Sequence, residues 1–190
     1  METVQTAHPA STVAVWCEDE HRLGLKPVLR RVWTRRGQSP VAIVQPRYEW
    51  LYVLAFVQPE TGATFWLLLP RLSATLFSLA LAEFAQSVGV GPAQQVVLVL
   101  DQAGWHASPR VVVPAGLTLV PLPAYSPELQ PAERVWPLVD EAIANQVFAS
   151  LDALMNRLGE RCRTLAALPA LIAGHTGFHW WPRLLPITAQ

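Results

Sequence analysis

The feature that most constrains the fold is the run at residues 95–100, which is apolar throughout after its glutamine (Gln-Val-Val-Leu-Val-Leu). A strand without polar alternation is typical of a position that is covered on both faces of a sheet. Residues 75–88 precede it with apolar side chains near helical spacing, and Gly89 follows where a C-cap is expected. A second short strand is predicted at 117–122. This β-α-β succession predicts an α/β fold.

The other elements predict a mixed sheet flanked by helices. The turn sequence Pro-Glu-Thr-Gly at 59–62 joins two β-rich runs, so residues 50–69 are expected to form a hairpin. Strands are predicted at 12–17, 41–44, 50–57 and 64–69, and helices at 131–147 and 151–165. Residues 174–186 are aromatic and interrupted by Gly and Pro, and no regular structure is predicted there.

Composition indicates one globular domain covering residues 1–190, because the chain is 52% hydrophobic and 15% charged. Polar or helix-breaking residues interrupt every apolar run before it could span a membrane, and the first residues do not resemble a secretory signal. The two cysteines, Cys17 and Cys162, form neither a disulfide framework nor a CxxC motif. We therefore expect a reduced, cytoplasmic protein.

Three acids stand out by position. Asp19 follows the first predicted strand and Asp101 follows the apolar run, and sites in open α/β sheets gather at strand ends. Taken singly, either aspartate could be an ordinary loop or cap residue. Pro131 fits the first turn of a helix, which puts Glu133 in that turn. On a helical projection Glu133 lies opposite the apolar stripe that begins at Val135, so we expect it to face a cleft.

Three blocks of the sequence resemble the DDE-type transposases, most closely the mariner-like bacterial insertion-sequence group. They read Cys-Glu-Asp-Glu at 17–20, Val-Leu-Val-Leu-Asp-Gln-Ala-Gly-Trp-His at 97–106, and Leu-Pro-Ala-Tyr-Ser-Pro-Glu-Leu-Gln-Pro-Ala-Glu-Arg-Val-Trp at 122–136. The resemblance implies a ribonuclease-H-like mixed sheet of about five strands, the first three antiparallel, flanked by helices. It implies that Asp19, Asp101 and Glu133 are the catalytic residues and metal ligands. DNA is the implied substrate, which is cut by water and then joined through a 3′-hydroxyl.

The chemistry of three converging carboxylates agrees with this assignment. Such groups repel each other unless a cation lies between them. Oxygen-only ligands favour Mg²⁺ or Mn²⁺ over zinc, and two such ions can promote an in-line phosphodiester displacement. The resemblance has departures too: Gln130 replaces the usual Asn and should cap the helix less well, and Pro137 should kink it. Glu20 matches the family without an expected direct metal contact.

Residues 21–48 contain seven basic residues and no acid, although the net charge of the chain is zero. Clustered guanidinium groups suit phosphate oxygens, so this segment is predicted to contact the DNA backbone; a solvated basic loop is the alternative. The predicted DNA-binding residues are Arg30, Arg31, Arg35, Arg36 and, from the resemblance, His106. His106 could instead position water or be a hydrogen-bonded structural histidine.

The resemblance also implies partners. Transposases of this group carry a helix-turn-helix region before the first catalytic acid, and Asp19 leaves no room for one. A separate or frameshift-fused helix-turn-helix subunit is therefore expected, and a homodimer on DNA is expected by analogy. Two alternatives to a transposase remain: a catalytically inactive DNA-binding or assembly module derived from one, and a stand-alone ribonuclease-H-like nuclease.

Overall fold

The computed structural model describes residues 2–39, 41, 47–179 and 181. Its centre is a five-stranded sheet in the order β3-β2-β1-β4-β5. The strands are β1 (Thr12–Gly24), β2 (Trp50–Gln58), β3 (Ala63–Leu69), β4 (Gln94–Leu100) and β5 (Leu117–Pro121). The first three strands pair antiparallel, β4 runs parallel to β1, and β5 runs parallel to β4. The predicted mixed α/β sheet is therefore confirmed.

Helices cover both faces of this sheet. They are α1 (Glu2–Ala7), α2 (Ala74–Val88), α3 (Trp136–Asp140), α4 (Leu151–Ala166) and α5 (Pro169–Thr176), with short 3₁₀ turns at Pro127–Leu129 and Pro131–Val135. The helix predicted over 75–88 is confirmed as α2, which begins one residue earlier: the hydroxyl of Ser73 accepts the Leu76 N–H at its start, and Gly89 ends it with a φ of 74°. None of the helices in the described ranges is long and apolar enough to cross a membrane.

Alternation along β1 divides the apolar interior into two cores. Val13, Val15 and Cys17 belong to the core on the side of α4 and α5, whereas Trp16 belongs to the core under α2. Successive side chains of a strand point to opposite faces, so the same alternation must separate the acids that follow. Asp19 faces the α3–α4 side, and Glu18 and Glu20 face the α2 side.

The predicted hairpin is confirmed, and its turn depends on glycine. Gly62 has a φ of 74°, and a Cβ atom there would collide with the carbonyl oxygen of Pro169. The β2–β3 turn therefore packs directly under the start of α5.

Several predicted boundaries are wrong for physical reasons. The first strand does not end at residue 17, because β1 continues to Gly24 by pairing with β2. The single helix predicted over 131–147 is a 3₁₀ turn followed by the short α3. Pro137 has no N–H for the Glu133 carbonyl, which instead accepts the N–H of Trp136.

At the carboxyl end, α5 was missed, and it includes residues 174–176 of the segment predicted to be irregular. Of the strand predicted at 41–44, Val41 is irregular and residues 42–44 lie outside the described residues.

Candidate active site

Asp19 and Asp101 lie side by side because their strands are neighbours. The parallel register of β1 and β4 pairs Cys17 with Val99. Each aspartate lies two residues further along the chain, Asp19 within β1 and Asp101 directly after the end of β4. Adjacent strands are about 4.8 Å apart, so this register brings the two carboxylates to the same edge of the sheet. Glu133 reaches the same edge from the 3₁₀ turn Pro131–Val135. All three line one cleft of about 410 Å³, together with Gln102, Tyr125, Ser126 and Gln130.

Asp19 is the buried member of the three, with 7% of its surface exposed. The indole N–H of Trp136 donates to its Oδ2 at 2.6 Å. Burial, the largest cause, and the charges of Glu133 and Asp101 together raise the pKa of Asp19 to about 7, against the lowering effect of the Trp136 hydrogen bond. A buried carboxylate held close to two others is destabilised in its ionised form until a cation approaches.

Trp136 is itself fixed by aromatic contacts. Its ring stacks on His21 at 5.1 Å between centroids and meets the edge of Trp66 at 6.3 Å. The Nε2 atom of His21 lies 3.1 Å from an oxygen of Asp140, so this acid is paired with His21. The indole that holds Asp19 is therefore part of a packed layer with little freedom to turn.

Asp101 is more open, with 51% of its side chain exposed. Its Oδ1 accepts the backbone N–H of Ala103 at 2.9 Å and lies 2.8 Å from Nδ1 of His106. The His106 hydrogen bond, the largest influence, holds the pKa of Asp101 below its usual value. Asp101 is thus ionised and oriented at ordinary pH, and its Oδ2 makes no hydrogen bond among the described residues.

Glu133 faces the cleft as predicted, although the element that carries it is not the predicted α-helix. Its side chain is exposed, while Val135 and Val139 on the opposite side are fully buried. Gln130 caps this 3₁₀ turn by accepting the Ala132 N–H at 3.4 Å, and its amide also donates to the Glu18 carbonyl at 2.7 Å. The longer side chain therefore ties the turn to β1, which cap preferences alone did not predict.

The donor set of the cleft fits a hard divalent cation, since the three carboxylates supply only oxygen. Among the described residues, these three do not form a cluster whose ligand atoms all lie within 4.8 Å of one another. Like charges without a counterion are expected to stand apart. Burial is the main cause of the raised pKa of Asp19, and the charges of Glu133 and Asp101 add to it.

A second acidic cluster, which the sequence reasoning missed, lies on the other face of β1. Glu18 and Glu20 point there with the imidazole of His106, and their ligand atoms all lie within 4.8 Å of one another. Period-two alternation around Asp19 was the signal that could have predicted it. Burial raises the pKa of Glu18 well above its usual value and that of Glu20 to about 8.

His106 is placed differently from a DNA-contacting residue. Its side chain is 2% exposed, and its ring lies against Phe77 with 4.4 Å between centroids. Of the three roles considered for it, this placement favours that of a hydrogen-bonded structural histidine.

The predicted DNA-binding arginines lie on an exposed irregular segment after β1. Arg31, Arg35 and Arg36 are exposed, whereas the guanidinium of Arg30 donates to the Pro137 carbonyl at 2.8 Å. Asn145 anchors the start of the segment through its side-chain oxygen, which accepts the Arg30 N–H at 2.9 Å. The segment therefore attaches next to α3, which leads directly from the Glu133 turn.

Sequence comparison identifies related proteins. Residues 14–155, more than half of the chain, match the profile of the DDE superfamily endonuclease family. An uncharacterized protein of Sinorhizobium fredii, y4pE/y4sA, is 39% identical over 107 residues, which cover 56% of this chain and 78% of that protein.

Solved structures share the fold at low sequence identity. The Mos1 strand transfer complex aligns with a TM-score of 0.59 and 17% identity over 87% of this chain and 55% of the other. The Mos1 mariner paired end complex with Mn gives 0.59 and 17% over 86% and 54%. The simian T-cell lymphotropic virus intasome in complex with the PP2A regulatory subunit B56 gamma gives 0.54 and 11% over 95% and 61%. The chain thus spans about 55% of the length of the Mos1 chains, and the expected ribonuclease-H-like fold is confirmed.

Proposed function

Because the chain belongs to the DDE superfamily endonucleases, we propose that it is the catalytic domain of an insertion-sequence DNA transposase, with Asp19, Asp101 and Glu133 as catalytic residues and ligands of Mg²⁺ or Mn²⁺. The observation that carries the proposal is the convergence of these three acids. They come from β1, from the end of β4 and from the turn before α3, and they line one cleft.

Each carboxylate offers the cleft at least one oxygen that makes no hydrogen bond among the described residues. Trp136 engages Oδ2 of Asp19, which leaves Oδ1, and His106 and Ala103 engage Oδ1 of Asp101, which leaves Oδ2. Glu133 is exposed. Two bound ions would activate a water or a 3′-hydroxyl for in-line attack on a phosphodiester and stabilise the leaving oxygen. The hydrogen bonds from Trp136, His106 and Ala103 hold these carboxylates in place beforehand, so the reaction does not have to order them.

The substrate is DNA, held by its backbone on the exposed segment after β1. Arg31, Arg35 and Arg36 present guanidinium groups to solvent with no acid between residues 21 and 48. Arginine donates a planar fork to phosphate oxygens, so contacts of this kind fix position without reading sequence. Tyr125, fully exposed at the cleft wall, offers a ring on which a base can stack.

Further partners follow from the same family resemblance. Recognition of the element's ends is assigned to a helix-turn-helix unit, separate or fused to this domain. The Mos1 relatives include paired-end complexes, and we extend that arrangement to a homodimer with one active site for each end. Sedimentation with and without an end-containing duplex tests the dimer.

The activity test uses two DNA substrates and one matched pair of variants. The purified chain is incubated with Mn²⁺ and either a supercoiled plasmid or a labelled duplex that carries a free 3′-hydroxyl, followed by product sizing. Glu133→Gln removes a proposed ligand, and Glu128→Gln makes the same change at an exposed acid outside the cleft.

We expect cutting and joining with wild type and with the Glu128 variant, and a loss on the order of 100-fold in both with the Glu133 variant. Cutting without joining would identify a stand-alone nuclease. A folded wild type that neither cuts nor joins would identify an inactive module and refute the proposal.

A further inference from the structure

The cluster of Glu18, Glu20 and His106 is separated from the cleft by β1 itself. Glu18 is fully buried, and the side chains of His106 and Glu20 are 2% and 11% exposed. The Nε2 atom of His106 lies 3.3 Å from Oε2 of Glu18 and 3.5 Å from Oε2 of Glu20. Within the described part of the chain, neither oxygen of Glu18, nor Oε2 of Glu20, nor Nε2 of His106 has a partner in hydrogen-bond geometry. The buried indole N–H of Trp105 lies beside Glu20 and lowers its pKa against the larger effect of burial, and it reaches no partner in that geometry either. Buried polar atoms without partners are costly, so this arrangement needs a positive group among them.

The other imidazole nitrogen determines what His106 offers to the cluster. Its Nδ1 lies 2.8 Å from Oδ1 of Asp101, a carboxylate that can only accept, so Nδ1 carries the proton. In the neutral ring, Nε2 then presents a lone pair to the two glutamates. Three electron-pair donors thus lie within 4.8 Å of one another, and the ring of Phe77 lies against that of His106.

The distances from Nε2 of His106 to the two glutamates match those between ligands of a metal ion. Nitrogen and oxygen ligands about 2.1 Å from a tetrahedral ion are about 3.4 Å apart. The two distances from Nε2, 3.3 and 3.5 Å, bracket that value. A ligating histidine almost always donates its second N–H to a carboxylate, a carbonyl or water, and Asp101 accepts that bond here.

We propose that Glu18, Glu20 and His106 form a buried structural site for a divalent transition-metal ion of the zinc class, distinct from the Mg²⁺ or Mn²⁺ site of the cleft. The imidazole nitrogen favours Zn²⁺ over Mg²⁺, and the second oxygen of Glu18 can complete the coordination. The ion fixes the ring of His106 and, through its Nδ1–H, the orientation of Asp101. The cleft and the buried site are thereby linked by one hydrogen bond.

The test measures metal binding without any activity assay. Chelator-treated protein is dialysed against Zn²⁺, and bound metal is counted by elemental analysis; Co²⁺ is then used as a spectroscopic substitute. The variants are Glu18→Gln and Glu20→Gln, which preserve shape, and Glu83→Gln, an equivalent change at an exposed residue of α2. Glu133→Gln, which removes a cleft ligand, separates the two sites.

We expect one tightly held Zn²⁺ per chain in the wild type, in Glu83→Gln and in Glu133→Gln. Affinity should fall at least about tenfold in Glu18→Gln and in Glu20→Gln, because each loses an anionic ligand. X-ray absorption of the Co²⁺ form should show one nitrogen donor in a four-coordinate shell.

Equal Zn²⁺ affinity in wild type and both cluster variants would overturn the proposal, as would loss of the ion in Glu133→Gln, which would place it in the cleft. If the cluster variants do not fold, the X-ray absorption spectrum of the Co²⁺-bound wild type tests the proposal instead. A coordination shell made only of oxygen atoms would exclude His106 as a ligand and overturn it. Zinc retention with failed DNA cutting would refute only the proposed function, and the reverse pattern would refute only this site.

Discussion

Replacing Asp19 by asparagine keeps the shape of the side chain but removes its charge. In the wild type this carboxylate is buried beside Glu133 and Asp101, with one hydrogen bond from Trp136. The amide oxygen of asparagine can accept that same bond. We therefore expect Asp19→Asn to abolish DNA cutting and, in the metal-free protein at about pH 8, to increase the free energy of unfolding.

The size of this stabilisation follows from the pKa of Asp19. The surroundings of Asp19, burial first among them, raise it from 3.8 to about 7. A shift of this size corresponds to a free-energy cost of about 4 kcal/mol for having the group ionised in the folded protein rather than in the unfolded chain. Between those two values the folded protein keeps the proton and the unfolded chain loses it. The stability of the wild type thus falls as pH rises through this window, by up to about 1.4 kcal/mol per pH unit from this residue. The difference between the proteins should grow from near zero at about pH 4 to its full size above about pH 7.

Urea unfolding of both proteins in chelator, at several pH values, measures this difference. Addition of Mg²⁺ should stabilise the wild type and leave Asp19→Asn unchanged, because binding raises stability only where the folded state holds the ion. An asparagine variant that is equally stable or less stable at about pH 8 would show that Asp19 is not an electrostatically costly residue kept for metal binding.

Three further predictions concern the neighbouring groups. Glu133→Gln should lower DNA cutting on the order of 100-fold and leave the free energy of unfolding within about 0.5 kcal/mol of wild type, because the side chain is exposed; a large loss of stability would contradict its exposure. Trp136→Phe removes the only side-chain hydrogen bond found to Asp19 in the described residues. It should therefore destabilise the protein by about 1–3 kcal/mol at neutral pH and weaken Mg²⁺ binding in calorimetry. Unchanged binding would show that this hydrogen bond does not position Asp19 as a ligand. Replacing the exposed arginines after β1 by alanine should weaken DNA binding. It should also reduce the slope of log K against log salt by about 0.9 for each phosphate that is no longer neutralised. An unchanged slope would show that these arginines do not contact the DNA backbone. The positions are Arg31, Arg35 and Arg36.

The sequence predicts the sheet and the approach of the three acids well, because strong local patterns carry both. The apolar run that becomes β4 and the hairpin of β2 and β3 have clear periodicity and turn residues. The side of the turn occupied by Glu133 was also predictable, since the buried stripe from Val135 fixes the opposite face. That stripe survives even though the turn is 3₁₀.

What could not be predicted depends on interactions between residues distant in sequence. The hydrogen bond from Trp136 to Asp19 joins residues 117 positions apart, and that from Gln130 to Glu18 joins residues 112 apart. The length of β1 depends on β2, which begins at Trp50. The burial of His106 depends on α2, so a position five residues after Asp101 gave no sign that its ring lies beneath the surface.

The proposed chemistry requires that Asp19, Asp101 and Glu133 together hold the divalent ions of the cleft. The decisive measurement is calorimetric titration of Mg²⁺ into the chain bound to a duplex with a free 3′-hydroxyl. Each acid is replaced in turn by its amide, and Glu128→Gln serves as the control. We expect binding in the wild type and the control and its loss in all three variants. Wild-type affinity in the three amide variants would show that these acids do not hold the ions.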